Sequence, residues 1–163
     1  MILPHTRGMR VNAYRFRDTW LLSAPVRTVF DAVVDLAAYP RWWPDVCEVT
    51  RVDDDTARVV CRAALPYALT VVMRRAEEDR GAGRMRVHLS GDLEGDLSAT
   101  ARRLPVGTRL EITQQVVATK PLLRRLSPLA RPAFRANHAL MMWRGRRGLE
   151  AHLSATGASG RTS

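Results

Sequence analysis

The stretch KPLLRRLSPLARPAFRANHALMMWRGRRGLEAHL, residues 120–153, is the longest helical pattern in this chain of 163 residues. Ser127-Pro128 is typical of a helix start, and Pro132 predicts a kinked or 3₁₀ first turn. From Ala133 to Leu153 only two glycines interrupt the pattern. A long helix that follows a β-rich segment needs an apolar surface to pack against, and the apolar face of a sheet must be buried by another element. We therefore predict that the sheet curls around this helix.

Most of the chain before residue 119 alternates between apolar and polar residues, which is the pattern of half-buried strands. In the first strand, Val11–Ser23, the side chains of Tyr14, Phe16 and Trp20 share one face. The later strands are separated by short turns, and short turns join antiparallel neighbours. The six later strands are predicted at Val46–Asp53, Ala57–Leu65, Ala68–Glu77, Arg84–Ser90, Leu93–Leu104 and Thr108–Thr119.

Two short helices are predicted between the first and second strands. Ala24 and Pro25 form a helix start, with Pro25 at the first helical position, and an apolar stripe follows at helical spacing. A second short helix is expected at Leu36–Tyr39, ended by Pro40. The fold class is therefore α+β, with seven antiparallel strands, two short helices and a long closing helix.

The length predicts one domain over residues 11–153, preceded by a flexible lead at 1–10 and followed by a disordered tail at 154–163. No apolar run is long enough to span a bilayer, and the first residues lack the pattern of a signal peptide. We therefore expect a cytoplasmic protein. Cys47 and Cys61 fall in strand patterns, where cysteine usually behaves as a small buried hydrophobe. Without an export signal we expect no disulfide, and no Cys/His cluster has the spacing of metal ligands.

The formal net charge is +10, and Lys120 is the only lysine among the 26 basic residues. One interpretation is an Arg-rich surface that binds an acidic partner. The other is a general preference for arginine over lysine, which the near absence of lysine favours. The arginines are scattered and no aromatic signature of RNA binding accompanies them, so the pattern disfavours a nucleic-acid partner. Membrane contact is compatible with this charge but is not required by it.

The segment SAPVRTVFDAVVDLAAYPRWWPDV, residues 23–46, resembles the opening of the START-like superfamily, also called SRPBCC. The shared features are the start Ala24-Pro25, Asp35 at the helix end and the turn Tyr39-Pro40-Arg41-Trp42. The tail NHALMMWRGRRGLEAHL, residues 137–153, is similar to the closing helix of its cyclase-like members. This superfamily includes polyketide cyclases and dehydrases, lipid-transfer domains and coenzyme Q-binding proteins. The resemblance covers residues 12–153 and implies a helix-grip fold with a cavity between the curved sheet and the long helix.

His138 is the first candidate site residue, because it lies on the helix face that we expect to meet the sheet. Imidazole titrates near neutral pH, so His138 is a candidate catalytic acid or base toward a ligand carbonyl or hydroxyl. The alternative is a structural histidine that forms a hydrogen bond to the sheet. Gln114 and Gln115 interrupt the last strand, and one of them must face inward, with His138, a water or a ligand as its partner. An edge bulge with both amides solvated is the alternative.

The remaining candidates are apolar side chains suited to an adaptable ligand pocket, or to plain core packing. Of two adjacent tryptophans in a turn between prolines, we expect one in the core and the other at a groove or in solvent. Gly145 and Gly148 weaken a helix, which indicates close approach to another element or local fraying. The predicted lining consists of Trp42, Trp43, Gln114, Phe134, His138, Met141 and Met142.

A row of carboxylates, Asp92, Glu94 and Asp96, shares one face of a strand. Ion pairs with basic residues of the neighbouring strand explain this row better than a metal or acid–base cluster. We expect no metal site and no cofactor, because motifs for nucleotides, zinc or nucleophilic serine are absent from the sequence.

Three functions are compatible with these observations. The first is binding of a hydrophobic or polycyclic small molecule, such as a lipid, a quinone or a polyketide-like compound. The second is a cyclase or dehydrase that orients a flexible chain in the same cavity, with His138 or an inward glutamine polarising a carbonyl. The third is an Arg-rich interaction protein with an acidic partner.

Overall fold

The computed structural model describes residues 13–64, 67–119 and 130–159, with the side chains of 131–157 in the last range. Seven strands form one antiparallel sheet, and helices lie between its first two strands in sequence and at the end of the described chain. The strands are β1 Ala13–Leu22, β2 Val46–Arg51, β3 Thr56–Cys61, β4 Leu69–Asp79, β5 Arg84–Gly91, β6 Leu93–Arg103 and β7 Thr108–Ala118. The helices are α1 Val26–Val34, a 3₁₀ turn Leu36–Ala38, α2 Tyr39–Trp42 and α3 Ala130–Ser159.

The strand order in the sheet is β1-β7-β6-β5-β4-β3-β2. β2 to β7 form the predicted meander, and β1 pairs with β7 rather than with β2. The strands β1 and β2 therefore lie at opposite edges, and the segment α1, 3₁₀ turn and α2 must cross the sheet to join them. This crossing covers the inner face of the curved sheet and places the two tryptophans beneath the long helix.

The predicted strand bounds differ from the observed ones by one or two residues, except in β3, which ends at Cys61, whereas the prediction continued it to Leu65. On β1, the buried residues Tyr14, Phe16, Trp20 and Leu22 share the inner face. β2 and β4 each contain a register shift, between Val46 and Glu48 and between Arg75 and Glu77. Residues 11–12 and Leu65, which we predicted at strand ends, lie outside the described residues.

The first helix begins one residue later than predicted. Pro25 is the N-cap, with extended backbone angles, and its carbonyl accepts the first helical hydrogen bond from Val29 N at 3.0 Å. Val29, Phe30 and Val33 form the buried face of α1. The apolar stripe therefore packs on the sheet as the helical spacing predicts.

The prediction that Pro40 ends the second short helix was wrong. Leu36–Ala38 forms a 3₁₀ turn, and Pro40 lies within the first turn of α2. Proline fits this position because an N–H in the first turn of a helix has no partner within the helix. The chain therefore turns helically through Trp42 and becomes extended only at Trp43.

The long helix α3 runs to Ser159 instead of ending at Leu153, so residues 154–159 are helical and not disordered as predicted. Pro132 lies in the first turn of its described part, a position that tolerates proline. Phe134, Met142 and Leu149 are buried along one face of the helix. The predicted start at Ser127-Pro128, the lead at 1–10 and residues 160–163 lie outside the described residues.

In the described ranges no helix combines the length and the apolarity that crossing a membrane requires.

Candidate functional site

A partly enclosed apolar cavity of about 90 Å³ lies between the inner face of the sheet and the segment from α1 to α2. The sheet forms one wall, with residues from all seven strands. The other wall consists of the end of α1, the 3₁₀ turn and α2. The lining residues are Trp20, Val33, Leu36, Tyr39, Trp42, Trp43, Val46, Val59, Cys61, Met73, Met85, Val87, Leu97, Ala99, Leu110 and Ile112.

This cavity is not bounded by the long helix, whereas the resemblance implied a cavity between the sheet and α3. The indole of Trp43 fills the intervening space: its Nε1 donates a hydrogen bond to the carbonyl oxygen of Met141 at 2.9 Å. A Cβ at Gly145 would lie only 2.5 Å from this ring. The glycine therefore lets α3 press directly on Trp43, and the tryptophan rather than the helix forms the cavity wall.

Trp42 is held between α3 and the cavity in a similar way. A Cβ at Gly148 would lie 1.7 Å from the backbone oxygen of Trp42, so the helix and α2 approach to backbone distance. The Trp42 ring stacks on the Trp43 ring with a centroid distance of 5.4 Å, and it packs against the Tyr39 ring with a centroid distance of 4.7 Å. The expectation that the two glycines mark close approach to another element is confirmed.

The two tryptophans share one environment rather than dividing between core and surface. Trp42 is 5% exposed and Trp43 is partly buried, and both line the enclosed cavity. The ring of Trp43 also meets the ring of Trp20 edge to face, with a centroid distance of 5.7 Å. The predicted division between a core tryptophan and a groove or solvent tryptophan assumed an extended backbone, but α2 is helical through Trp42.

An open groove of about 400 Å³ lies next to the enclosed cavity, at the sheet edge formed by β2, β3 and β4. Its inner part is apolar and its rim is charged, with Arg51 and Arg75 beside the acidic turn between β2 and β3. The groove and the cavity have four lining residues in common, namely Leu36, Met73, Met85 and Val87. These four side chains therefore border both spaces.

His138 lies at the other side of the fold, where α3 meets β1 and β7. Its ring stacks on Phe16 with a centroid distance of 3.7 Å. Its Nε2 donates to Gln114 Oε1 at 3.2 Å, and its Nδ1 lies 4.0 Å from Asp18 Oδ2. Burial lowers the pKa of His138 to about 4, so the imidazole is neutral at pH 7.

The prediction that one glutamine of the pair faces inward is confirmed for Gln114. Gln115 is exposed, and β1 and β7 pair without a register shift at this point, so there is no bulge. Gln114 lies directly opposite Phe16 on β1, which places its amide under the imidazole of His138. The inward amide therefore has a protein partner in the histidine.

Asp18 completes this polar cluster and was missed in the sequence. Burial raises the pKa of its carboxyl group, whose side chain is 27% exposed. Asp18 has the same strand parity as Phe16 and Trp20, so the alternation places a carboxylate on an otherwise apolar face. An acidic residue at an inward-facing position of the strand pattern could have identified Asp18 as a candidate from the sequence.

The other predicted lining residues of α3 lie in the packed interface with the sheet. The ring of Phe134 packs against the rings of Tyr14 and Phe16, with centroid distances of 4.5 and 6.1 Å. Met142 is 7% exposed. Met141 accepts a weak hydrogen bond from the side chain of Asn137 at 3.7 Å. The enclosed cavity is lined by Trp42 and Trp43 but not by Gln114, Phe134, His138, Met141 or Met142, whose place in a ligand site stays a prediction.

Two polar contacts that the sequence analysis did not identify fix α3 to the rest of the chain. Arg144 Nη1 lies 2.9 Å from Oδ1 of Asp45, a carboxylate whose side chain is only 3% exposed. Asn137 Oδ1 accepts a hydrogen bond from the backbone N–H of Ala64 at 3.0 Å. These contacts join the helix to the start of β2 and to the segment after β3.

The row of carboxylates on β6 serves separate structural contacts. Asp96 pairs with His88 across the strands, and Asp92 Oδ2 accepts a hydrogen bond from the backbone N–H of Thr70 at 2.8 Å. Arg84 pairs with Glu77 of β4 instead, at 3.4 Å. Within the described ranges, no group of three or more His, Cys, Asp or Glu residues is arranged to hold a metal.

Cys47 and Cys61 are free thiols, but Cys47 is exposed and not a buried hydrophobe as predicted. Cys61 lines the enclosed cavity, and burial raises the pKa of its thiol to about 12, so it stays protonated. Several surface arginines pair with nearby carboxylates, for example Arg75 and Arg80 with Glu78, each at 3.2 Å. An acidic partner for the remaining positive charge stays a prediction.

Several solved structures share this fold. An aromatase/cyclase from a Streptomyces species, named Zhui, is 16% identical, with a TM-score of 0.72 over 87% of this chain and 94% of that chain. A protein from Thermus thermophilus is 19% identical, with a TM-score of 0.76 over 88% and 99%. A START superfamily protein from Mycobacterium smegmatis is 16% identical, with a TM-score of 0.68 over 87% and 98%. These likenesses confirm the helix-grip fold.

No curated protein sequence matches the chain. The sequence profile of one family, described as polyketide cyclase / dehydrase and lipid transport, matches residues 22–136, which is more than half of the chain. The chain therefore belongs to the polyketide cyclase/dehydrase and lipid transport family of the START-like superfamily.

Proposed function

We propose that this protein binds a hydrophobic small molecule, polycyclic or lipid-like, in the enclosed cavity and the groove beside it. The observation that carries this proposal is the common wall between the two spaces, formed by Leu36, Met73, Met85 and Val87. The groove volume lies within the range of roughly 300–1,000 Å³ found for small-molecule sites. The enclosed cavity supplies an apolar end that excludes water.

The shape of the site supports a ligand that is apolar at one end and polar at the other. Methionine and leucine side chains separate the two spaces, and both adopt new rotamers at low cost. A ligand that displaces Leu36 and Met73 extends from the cavity into the groove, where charged side chains line the rim. Lipids, quinones and polyketide-like compounds have this amphipathic character.

The first test is native mass spectrometry of freshly purified protein, followed by thermal unfolding with a panel of apolar compounds. We expect a co-purified hydrophobic molecule, or a rise in Tm with at least one class of compound. No bound molecule and no rise in Tm with any compound would contradict the proposal.

A cavity-filling variant tests the location. Ala99 is 3% exposed and lines the cavity, so Ala99→Leu should occupy the space and abolish the ligand-induced rise in Tm. Ala139→Leu adds the same atoms on the exposed face of α3 and is the matched control. Circular dichroism checks that both variants fold. Ligand stabilisation that is unchanged in Ala99→Leu would place the site elsewhere.

A cyclase or dehydrase activity is the second candidate, and the cluster of His138, Gln114 and Asp18 favours it. In this arrangement Nε2 of the imidazole carries the proton and Nδ1 is the basic nitrogen. A base with a pKa of about 4 is weak at neutral pH, so His138 is better suited to orienting a hydroxyl, whose hydrogen bond Nδ1 accepts, than to removing a proton. This weakness is the reason that binding ranks first.

His138→Ala separates the two functions. If the protein is a carrier, ligand-induced stabilisation survives in this variant. If it is an enzyme, turnover of a polyketide-like substrate is lost while binding remains. Loss of binding itself would contradict both assignments, because His138 lies outside the lining of the enclosed cavity.

A further inference from the structure

The side chain of Trp42 carries a buried hydrogen-bond donor without an acceptor. The residue is 5% exposed, and its Nε1 has no partner within the part of the chain that the structure describes. Buried indole N–H groups usually find an acceptor, because an unpaired donor loses its hydration without compensation. The unpaired N–H of Trp42 therefore calls for an explanation.

The neighbouring polar groups of the cavity wall are already engaged. Trp43 Nε1 donates to Met141, and the hydroxyl of Tyr39 donates to the backbone oxygen of Val33 at 2.5 Å. The other described lining residues have apolar side chains, apart from the indole of Trp20 and the protonated thiol of Cys61. Among the described lining residues, Trp42 is the one whose N–H donor is both buried and unpaired, so it can donate to a bound molecule.

We propose that Trp42 is the specificity-determining residue of the cavity and binds an acceptor oxygen of the ligand through its Nε1. The ligand class is an apolar ring compound with a ketone or phenol oxygen at its buried end. This inference rests on the proposed binding function and narrows it. A pure hydrocarbon of the same shape fills the cavity but leaves the indole N–H unpaired.

The experiment compares 1-indanone with indane, which share a bicyclic skeleton and differ at the ring ketone. Protein labelled with ¹⁵N has four tryptophan indole N–H signals, and Trp42→Phe identifies the signal of Trp42. We expect this signal to move downfield with 1-indanone and not with indane. The Trp43 signal should move less, because its hydrogen bond to Met141 is already formed.

Affinity provides the second readout. Wild-type protein should bind 1-indanone roughly tenfold more tightly than indane, because one well-formed hydrogen bond is worth about this factor. Trp42→Phe should bind the two compounds equally, while Trp143→Phe on the exposed face of α3 should keep the wild-type ratio. Equal affinities in the wild type, with a stationary Trp42 signal, would overturn the inference and leave the proposed function intact.

Absence of binding by either compound, together with no ligand in native mass spectrometry, would instead overturn the proposed function. If Trp42→Phe does not fold, assignment of the wild-type spectrum through Trp20→Phe, Trp43→Phe and Trp143→Phe keeps the test decisive. The fourth indole N–H signal then belongs to Trp42. A downfield shift of this signal on adding 1-indanone supports the inference, and an unchanged position overturns it.

Discussion

The indole ring of Trp43 occupies the space that a side chain at Gly145 would need. A Cβ at position 145 would lie 2.5 Å from Cε2 of the ring, closer than carbon atoms approach. The same indole donates a hydrogen bond to Met141, one turn earlier on the helix. This contact fixes the distance between α3 and α2, and it separates the helix from the cavity.

Replacing Gly145 with alanine should therefore destabilise the protein. Alanine normally favours a helix over glycine by about 1 kcal/mol, but here its methyl group collides with a rigid ring, and overpacking costs about 1–3 kcal/mol. We expect a net loss of about 1 kcal/mol in the free energy of unfolding, measured by urea denaturation.

Gly157→Ala is the matched control, because no atom lies within 4 Å of a Cβ at that position. It should leave stability unchanged or raise it slightly. Gly148→Ala should cost more than Gly145→Ala, since the obstacle is the backbone oxygen of Trp42. A variant at position 145 as stable as the wild type would show that α2 and α3 separate easily.

The buried carboxylate of Asp45 depends on Arg144. Arg144→Ala leaves this carboxylate, 3% exposed and with Oδ2 already unpaired, without its charged partner. Removing one partner of a buried ion pair is strongly destabilising, and we expect a loss of about 2 kcal/mol because Arg144 itself is 40% exposed.

Urea denaturation of Arg144→Ala and Arg147→Ala checks this prediction. Arg147 lies on the exposed face of the same helix, with its guanidinium 5.0 Å from the Trp143 ring, and its loss should change stability by less than about 0.5 kcal/mol. Equal effects of the two variants would argue against a special role for the pair with Asp45.

His138 should make stability depend on pH between about 6.5 and 4. Burial lowers its pKa to about 4, so protons bind more tightly to the unfolded chain than to the folded protein. Its contribution to stability is fully present above the unfolded pKa and is lost as pH falls toward 4. On going from pH 7 to pH 5, the expected loss is about 2 kcal/mol.

The difference between the wild type and His138→Gln isolates this contribution, because glutamine keeps a hydrogen-bonding side chain that does not titrate. The variant should lose about 2 kcal/mol less than the wild type between pH 7 and pH 5. An NMR titration in which the His138 ring becomes charged near pH 6.5 would refute the burial argument.

Leu36 should control access to the enclosed cavity. It is half-buried on the 3₁₀ turn and lines both the cavity and the groove. Leu36→Ala removes part of the common wall, so a naphthol probe should associate several-fold faster, as measured by stopped-flow quenching of tryptophan fluorescence. Val106→Ala, in the exposed turn between β6 and β7, is the control and should leave the rate unchanged.

An association rate for Leu36→Ala equal to that of the wild type would show that the ligand enters by another route. This outcome would leave the cavity itself as the binding site.

The sequence by itself determined the strands, the first helix and the long closing helix, and their order along the chain. Alternation with a period of two located the strands, most clearly β1, β5 and β7, whose side chains alternate between the core and solvent. The same rule required an inward member of the pair Gln114 and Gln115, and helical spacing placed Phe134, Met142 and Leu149 on the buried face of α3. These properties depend on residues close together in the chain.

Only the tertiary structure decided where the cavity lies and which polar groups meet. The contact between Trp43 and Met141 joins residues 98 positions apart, and the contact between His138 and Gln114 joins residues 24 positions apart. Neither distance follows from local periodicity, because both depend on how closely α3 approaches the rest of the fold. Gly145 and Gly148 allow that approach, and the tryptophans beneath them place the cavity between the sheet and the short helices.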